Sequence, residues 1–388
     1  MRLLSMTNLT RRQIIEKTKH LVVKVGTNVL TTQAGLLNQV RIHHLVEEIC
    51  EIRKRGIDVI LVSSGAVGAG MGRIGLDKRP KLHPELQAVA AIGQGALIQC
   101  YEQELDSKGV LAAQVLLTAG DLSNRERYLN IRNTFYSLLQ YGALPIVNEN
   151  DTVSSAELSL TFGDNDRLAS LVANLFPEPL LVLLTDVDGL FTGDPSLPDS
   201  KLIPIVEKWS SSLMQMVAEK KSSRSKGGMS SKLKAAQTVT SSGGSMIIAN
   251  GDDPHILSKI YSEESCGTFF FPRGKLPARK RWFRFAQPAA GVVVVDDGAV
   301  KALEQDGKSL LPVGILLCIG DFKKGDVISI VDKSNREIAR GLSNYSSERG
   351  ELICGRTSKE IVKVFGRDLC PYEEFVHRDN IQLNSDSI

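Results

Sequence analysis

A lysine near the end of a short apolar run is the first feature of this chain that indicates chemistry. Lys24 lies in the segment LVVKVGT, residues 21–27, whose β-branched residues predict a buried strand. Such a strand rarely holds a charge without a partner, and Gly26 lets the backbone approach a ligand closely. Together these features indicate a phosphate site, although a lysine that extends from a strand end into solvent gives the same pattern.

A second predicted strand, residues 58–62, runs directly into the small residues SSGAVGAG at 63–70. A helix that starts there leaves backbone N–H groups free to bind an anion, and Ser64 adds a hydroxyl. A tight packing turn between strand and helix is the alternative. The GMGRIG match at 70–75 is not a dinucleotide fingerprint, because it starts eight residues after Val62 and positions 91–101 hold no acidic residue.

Polar residues also follow the predicted strand 144–147. The sequence NEND at 148–151 comes directly after it, and GDND at 163–166 opens a helix. Ligands of parallel α/β sheets bind beyond the carboxyl ends of strands. Helix capping alone explains one of Asp164, Asn165 and Asp166, but a cap does not need all three. Because Asp151 precedes them in the neighbouring polar segment, the two segments together predict a polar binding site.

Two further segments have the same character. Thr185 and Asp186 follow the strand predicted at 180–184, and KGGMSSK at 226–232 precedes an amphipathic helix that Ser230 or Ser231 can cap. Lys232 falls in the first turn, where the helix dipole disfavours a cation, which indicates an anionic partner. A solvated basic loop is the alternative. No G-x-x-x-x-G-K-[ST] motif is present, so the chain is not a P-loop enzyme.

The elements that position these segments alternate between strand and helix over the first roughly 270 residues, which predicts an α/β fold with a mainly parallel central sheet flanked by helices. The predicted strands are 21–25, 58–62, 110–116, 144–147, 180–184 and 245–249, and the predicted helices are 38–54, 85–105, 126–140, 166–175 and 230–241. All five polar segments lie at a strand end or a helix start, so they can converge on one crevice.

The character of the sequence changes at the basic, turn-rich stretch GKLPARKR, residues 274–281. Short strand-like segments follow at 291–295, 315–319, 326–331 and 337–342, and they predict a small, mostly β domain. We therefore expect a catalytic domain at 1–272 and a second domain at 273–388.

The composition is that of an ordinary globular protein of 388 residues, with 42% hydrophobic and 23% charged residues. The net charge of +3 is too small to argue for nucleic-acid binding by itself. No apolar run approaches the roughly 20 residues of a membrane helix, and no secretion signal is recognisable. The six scattered cysteines then favour reduced thiols in a cytoplasm, and the histidines show no metal-ligand spacing.

In this order the segments resemble the amino-acid kinase family, and within it the enzymes that phosphorylate glutamate. The resemblance rests on VKVGT at 23–27, VSSGA at 62–66, NEND at 148–151, GDND at 163–166, LTD at 184–186 and GGMSSK at 227–232. The tail resembles a PUA domain through RKRW at 279–282, SLLPVGI at 309–315 and VHRD at 376–379. The resemblance implies an amino-acid kinase fold followed by a PUA-like domain.

The family implies transfer of the γ-phosphoryl group of ATP, with Mg²⁺, to the γ-carboxylate of L-glutamate in proline biosynthesis. By resemblance, Lys24 and Lys232 stabilise the transferring group, and Asp166 together with Asp164 holds these lysines or helps to bind Mg²⁺. A carboxylate nucleophile is already ionised at pH 7, so no general base is needed.

The resemblance assigns glutamate to Ser64, Asp151 and Asn165, with Asp151 facing the substrate ammonium. It assigns the nucleotide to Lys24, Thr185, Asp186, Lys226, Gly227, Gly228, Met229, Ser230, Ser231 and Lys232. It also implies feedback inhibition by proline, which would overlap the glutamate site, and a homo-oligomer, either a dimer or a tetramer.

Two departures from the family pattern leave nucleotide preference open. Asn28 stands where many relatives have Ser, and the nucleotide loop begins with RSKG at 224–227. One alternative is another kinase of the same fold, acting on acetylglutamate, aspartate, carbamate or uridylate. The other is an RNA-binding protein that acts through the PUA-like tail, which the basic run 279–284 supports and the net charge does not.

Overall fold

The computed structural model describes residues 10–32, 35–153, 165–209, 213, 228–262, 264–273, 289–365 and 372–383. The chain divides into two compact units, residues 1–122 with 126–276, and residues 277–388 with 123–125. The boundary expected between residues 272 and 273 stays a prediction.

The first unit alternates strands with helices, as the periodicity predicts. Its strands are β1 (His20–Val25), β2 (Asp58–Ser63), β3 (Ala112–Leu117), β4 (Leu144–Glu149), β5 (Leu180–Thr185), β6 (Ile205–Val206), β7 (Ser245–Asn250) and β8 (Thr268–Phe270). Its helices are α1 (Arg11–Lys17), α2 (Thr27–Leu30), α3 (Gln39–Lys54), α4 (Ala66–Ile74), α5 (His83–Asp106), α6 (Ala119–Ser123), α7 (Arg125–Gln140), α8 (Asn165–Ala173), α9 (Met229–Thr240) and α10 (Ile256–Ile260).

The eight strands form one sheet in the order β3-β4-β2-β1-β5-β7-β8-β6. Every pairing is parallel except that between β7 and β8. The mainly parallel sheet expected from the uninterrupted apolar strands is therefore confirmed. Polar residues lie at the ends of four neighbouring strands, in the order β4, β2, β1 and β5. Because these strands are adjacent, their polar ends lie in one region of the sheet edge.

Strand β1 shows how the sheet positions its functional lysine. All six of its residues are buried, because helices cover both faces of the sheet. Leu21, Val23 and Val25 belong to one hydrophobic core together with residues of α3 and α5. Since successive side chains of a strand point to opposite faces, Lys24 points to the other face of the sheet.

Helices α4 and α5 pack with their backbones in contact. A Cβ atom at Gly93 would lie 1.8 Å from the carbonyl oxygen of Ala66, and one at Gly70 would lie 1.9 Å from that of Val89. Within the GMGRIG segment, Gly70 is thus used in helix packing and Gly75 in the left-handed C-cap. This contact fixes α5 beside the first turn of α4.

The predicted cap of helix α9 is wrong. The N-cap residue is Gly228, and no side chain caps the helix. The hydroxyl of Ser231, the third residue of the helix, lies within donating distance of the carboxylate of Asp166, at 2.7 Å, and of the carbonyl of Gly228, at 2.9 Å. Lys232 does lie in the first turn, as expected.

The second unit is a small, mostly β domain, as predicted. Its strands are β9 (Gly291–Val295), β10 (Ile315–Ile319), β11 (Val327–Val331), β12 (Glu337–Leu342) and β13 (Ile381–Leu383), in the order β10-β9-β11-β12-β13. Its helices are α11 (Asp297–Glu304), α12 (Ser347–Ile353) and α13 (Ser358–Phe365). Its core includes Tyr345 and Phe375, whose rings stack with centroids 5.5 Å apart. In the described part of the whole chain, no helix is long and apolar enough to cross a membrane.

Candidate active site

The site begins where the neighbouring strands β5, β1 and β2 end. The N–H of Gly26 donates to the carbonyl of Leu184 at 3.1 Å, and the N–H of Ser64 donates to that of Val25 at 3.2 Å. These bonds continue the ladder past the strand ends and hold the three loops side by side. Gly65 follows with a φ of 107°, a left-handed conformation that glycine adopts without steric cost, and helix α4 starts at the next residue.

Asp166 joins two lysines that are far apart in the sequence. Its Oδ1 lies 2.6 Å from Nζ of Lys24, and its Oδ2 lies 3.2 Å from Nζ of Lys232. All three residues are buried, with relative exposures of 2% for Asp166 and 7% for each lysine. Strand β1 and the first turns of α8 and α9 therefore meet at one carboxylate.

The charge balance of this cluster favours an anion. Burial alone would raise the pKa of Asp166, but the positive charges of Lys24 and Lys232 outweigh burial and lower that pKa to about 2. The carboxylate is thus ionised at neutral pH. Two ammonium groups against one carboxylate leave a net positive charge at low solvent exposure, which suits a phosphoryl group.

A second cluster, formed by amides and hydroxyls, lies at the ends of β2 and β4. The Asn165 Nδ2 group donates towards the carbonyl of Ser63, the Oγ of Ser64 and the Oδ1 of Asn148, at 3.3, 3.0 and 3.0 Å. Each of these four residues is less than 9% exposed. Because Asn165 and Asp166 are adjacent at the start of α8, this amide cluster and the lysine pair are parts of one site.

The same cluster leaves one acceptor available. Oδ1 of Asn165 is buried and has no hydrogen-bond partner among the described residues. A buried polar atom normally finds a partner in the protein or in a ligand. The orientation of the amide, with Nδ2 facing three acceptors, makes Oδ1 suitable for a ligand that donates.

Asp151 follows the end of β4. Burial raises the pKa of its carboxyl to about 7, the negative charge of Glu149 adds to the effect, and Arg79 opposes it. A cation brought beside Asp151 would stabilise its ionised form. The structure thus places the three residues assigned to glutamate, Ser64, Asp151 and Asn165, on the neighbouring ends of β2 and β4 and the start of α8.

The residues assigned to the nucleotide begin at the end of β5. Thr185 is buried, and its hydroxyl donates to Oδ1 of Asp186 at 3.0 Å. Asn28 Nδ2 donates to Oδ2 of the same carboxylate at 2.8 Å. Partial burial raises the pKa of Asp186, but the bonds from Asn28 and Thr185, together with the charge of Lys232, produce a net lowering.

The loop before α9 is described only in part. Gly228 and Ser230 are exposed and Met229 is half-buried at the start of the helix. Asp164, Lys226 and Gly227 lie outside the described residues, as does the basic run 279–284.

The described side chains form no cluster of metal ligands, and Asp164, which the family pattern also relates to Mg²⁺, lies outside them. No group of three or more His, Cys, Asp or Glu side chains in the described ranges could hold an ion. Both oxygens of Asp166 are engaged by lysines, which supports its role in holding them. Mg²⁺ commonly takes substrate phosphates and water as most of its ligands.

Sequence reasoning missed three side chains that complete the site. On α5, Gln94 accepts a hydrogen bond from Asn148, and the hydroxyl of Tyr101 contacts that of Ser63. The third residue, Asn28, donates to Asp186 and was noted in the sequence only as a departure from the family pattern. In sequence the two α5 residues are ordinary members of an amphipathic helix. Only the tertiary contact of α5 with the strand ends reveals them.

Two family profiles and several relatives match this chain. The profile of the Amino acid kinase family matches residues 19–250, and that of the PUA domain matches residues 291–365. The chain is 46% identical over 363 residues to a glutamate 5-kinase of Caldanaerobacter subterraneus subsp. tengcongensis, covering 93% of this chain and 96% of the relative. It is 45% identical to a glutamate 5-kinase of Thermoanaerobacter sp. (strain X514), covering 94% of this chain and 97% of the relative. It is also 45% identical to a glutamate 5-kinase of Rhodopirellula baltica, covering 96% of each protein.

Proposed function

This chain belongs to the amino acid kinase family, and on that premise we propose that it transfers the γ-phosphoryl group of ATP to the γ-carboxylate of L-glutamate. The product is L-glutamyl 5-phosphate, and the reaction is the first step of proline biosynthesis. The observation that carries the proposal is the carboxylate of Asp166 held between Lys24 and Lys232 beside the polar strand ends.

In the reaction, an oxygen of the γ-carboxylate attacks the γ-phosphorus, and the bond from that phosphorus to the bridging oxygen of ADP breaks. The nucleophile is ionised at neutral pH, so no residue needs to remove a proton. The main obstacle is repulsion between an anionic acceptor and a polyanionic donor. Catalysis therefore requires positioning and positive charge.

Lys24 and Lys232 supply that charge in our proposal, one from the end of β1 and one from the first turn of α9. Asp166 holds both ammonium groups close together, and its low pKa keeps it ionised over the physiological range. Asp164, in the segment outside the described residues, is proposed to assist Asp166. Since the lysines face a charge that develops during transfer, their contribution should be larger in the transition state than in the ground state.

Glutamate is proposed to bind at the ends of β2 and β4. The carboxylate of Asp151 and the free Oδ1 of Asn165 are acceptors for the substrate ammonium, whereas Ser64 and the N–H groups at the start of α4 can donate to a carboxylate. This arrangement of acceptors and donors fits an amino acid that carries a second carboxylate.

ATP is proposed to lie across Thr185, Asp186 and the loop 226–232, with Lys24 and Lys232 at its terminal phosphate. Mg²⁺ is proposed to enter on the phosphate oxygens, where it would neutralise part of their charge.

Regulation and assembly follow the family expectation. We propose that proline inhibits the enzyme by overlapping the glutamate site near Ser64 and Asp151, and that the protein forms a homodimer or homotetramer. An Asp151→Asn variant that loses glutamate affinity but keeps full proline sensitivity would contradict the overlap.

RNA binding by the second unit is a separate proposal, which a basic and aromatic pocket supports. Lys324, Arg349 and Tyr372 line it, and Nζ of Lys324 lies 4.4 Å from the centroid of the Tyr372 ring. Filter binding of single-stranded RNA at low and high salt tests it, because phosphate contacts produce a steep salt dependence. Equal, negligible retention at both salts would reject it.

The first experiment is an ADP-release assay with Mg-ATP and L-glutamate, with and without proline. Aspartate and N-acetylglutamate serve as alternative acceptors, and hydroxylamine traps the acyl phosphate as a hydroxamate. Glutamate-dependent turnover is expected. Turnover only with another acceptor would retain the fold and reject glutamate as the substrate.

A further inference from the structure

Three polar residues on helix α5 are spaced by seven positions, at Gln87, Gln94 and Tyr101. Seven residues are close to two helical turns, so the three side chains follow one stripe of the helix. Each contacts a different residue at or just after the carboxyl ends of β2 and β4. Gln87 Nε2 donates to the backbone carbonyl of Asp151 at 3.0 Å, and the other two contact Asn148 and Ser63.

Gln94 fixes the orientation of two side-chain amides, those of Asn148 and Asn165. Its Oε1 accepts from Nδ2 of Asn148 at 2.8 Å, while Oδ1 of Asn148 accepts from the N–H of Glu149 at 2.9 Å. The amide of Asn148 is thereby held from both ends, with its oxygen facing Nδ2 of Asn165. Asn165 must then direct its own oxygen away from Asn148, and this is the Oδ1 that has no partner in the described part of the chain.

Tyr101 acts on the next strand end in a similar way. Its side chain is completely buried, and its hydroxyl lies 2.9 Å from Oγ of Ser63. Either of these two hydroxyls can donate to the other, and Oγ of Ser63 also lies 3.0 Å from the carbonyl of Ser64. Among these groups, each proton finds an acceptor when Ser63 donates to that carbonyl and Tyr101 donates to Ser63, which the burial of Tyr101 favours. The chain of bonds from Tyr101 holds the Ser64–Gly65 peptide, from which helix α4 and its free N–H groups begin.

The stripe has the properties of a positioning device. Tyr101 is buried and Gln87 and Gln94 are half-buried, so each costs stability unless it is hydrogen-bonded. Their bonds go to Ser63 and Asn148 at the ends of β2 and β4, and to the carbonyl of Asp151 just after β4. The close packing of α4 on α5 at Gly93 fixes the helix that carries them. One rigid element therefore sets three groups of the pocket relative to one another.

We propose that Gln87, Gln94 and Tyr101 are positioning residues that set the location and the hydrogen-bond polarity of the glutamate-binding groups. This inference rests on the proposed function. Gln94 makes Oδ1 of Asn165 an acceptor for the substrate ammonium, Tyr101 orients the peptide at the start of α4, and Gln87 holds the backbone of Asp151.

The test compares Gln94→Met and Tyr101→Phe with the control Gln99→Met, which changes an exposed residue of the same helix. We expect KM for glutamate to rise roughly three- to tenfold in each of the first two variants, which corresponds to the loss of about one hydrogen bond. KM for ATP should stay unchanged, as should both constants in Gln99→Met. A structural role alone would lower the melting temperature or the active fraction without this selective change.

A double variant makes the test independent of folding effects. If Tyr101 acts through Ser63, Tyr101→Phe adds nothing to the glutamate KM of Ser63→Ala. Additive effects, equal changes in both KM values, or unchanged KM values in folded variants would each overturn the inference. Absence of glutamate-dependent turnover in the unmodified protein would instead reject the proposed function, so the two failures are distinguishable.

Discussion

The Nζ atom of Lys24 lies 2.6 Å from Oδ1 of Asp166, and this buried ion pair connects strand β1 to the first turn of helix α8. The same carboxylate engages Lys232 through its other oxygen, so one residue holds two cations together. An isolated buried charge is strongly unfavourable. The cluster is thus stable only while each lysine has an anionic neighbour, which Asp166 provides in the free protein and a phosphoryl group would share in the complex.

Replacement of either lysine should affect turnover more than glutamate binding. We expect Lys24→Met and Lys232→Met each to lower kcat by about 100-fold or more, because they remove charge that stabilises the transferring group. KM for glutamate should change less than about threefold, since neither lysine is placed in the amide cluster. Steady-state kinetics with each substrate varied in turn provides the measurement.

Lys234→Met is the matched control, because Lys234 is exposed on the same helix, two residues after Lys232. Its kinetic constants should equal those of the unmodified enzyme. If kcat were unchanged in both buried-lysine variants, the proposed mechanism would be rejected.

Neutralising Asp166 should reduce both stability and turnover. The folded-state pKa of about 2 lies below the unfolded value of about 4, so ionised Asp166 stabilises the fold above pH 4 and loses this effect as the pH falls towards 2. Asp166→Asn should lower the free energy of unfolding by roughly 3–5 kcal/mol near pH 7, since it leaves two buried lysines unpaired. Urea unfolding from pH 3 to 8 would show a difference that narrows below pH 4; a constant difference at every pH would contradict the assignment.

The six strands predicted in the first unit lie within two residues of the observed bounds, because most of them are apolar throughout. The short strands β6, β8 and β13 are not predicted, since two or three residues form no recognisable pattern. It also indicates that Lys24 and Lys232 have anionic partners, since both occupy unfavourable positions. It does not predict that they share Asp166, because that contact depends on how α8 and α9 pack against β1. Gln94 and Tyr101 are missed for the same reason, as an amphipathic helix gives no sign of which polar residues meet a strand end.

The predicted cap of α9 shows a related difficulty. Serine after a glycine pair is a good capping candidate by local rules, but the helix begins at Met229 and its N-cap is Gly228. Ser230 and Ser231 are therefore inside the first turn, past the position from which a side-chain oxygen accepts from the first N–H groups. From there the hydroxyl of Ser231 reaches the carboxylate of Asp166, a tertiary contact that local rules do not predict.

Asn28 should affect the nucleotide side of the site alone. Its bond to Asp186 contributes to the lowered pKa of that carboxyl, so Asn28→Ala should raise the pKa of Asp186 and loosen the end of β5. Because the bond between Asn28 and Asp186 is open to solvent, we expect only about a two- to fivefold rise in KM for ATP, with KM for glutamate unchanged. Asn28→Asp, which places like charges together, should raise KM for ATP further. A change confined to the glutamate constant would contradict this placement.

The two glycines of α5 should respond oppositely to the same substitution. Gly93→Ala places a Cβ 1.8 Å from the carbonyl oxygen of Ala66, so α4 and α5 must separate and the free energy of unfolding should fall by about 2–4 kcal/mol. Gly95→Ala places its Cβ in open space and should raise stability by about 0.5–1 kcal/mol through helix propensity. Urea unfolding measures both, and equal effects would show that the helices are not in backbone contact.

Glutamate affinity should depend on pH through Asp151. The folded-state pKa of about 7 lies above the unfolded value of about 4, so the stability that protonated Asp151 contributes is complete below pH 4 and is lost as the pH rises through 7. Binding of the substrate ammonium requires the ionised form. The dissociation constant for glutamate, measured by calorimetry without ATP, should fall about tenfold per pH unit as the pH rises to 7 and level off above it.

Asp151→Asn should weaken binding and flatten this profile, whereas Asp77→Asn, at an exposed carboxylate, should leave it unchanged. A pH-independent dissociation constant in the unmodified protein would exclude Asp151 as the group that receives the ammonium.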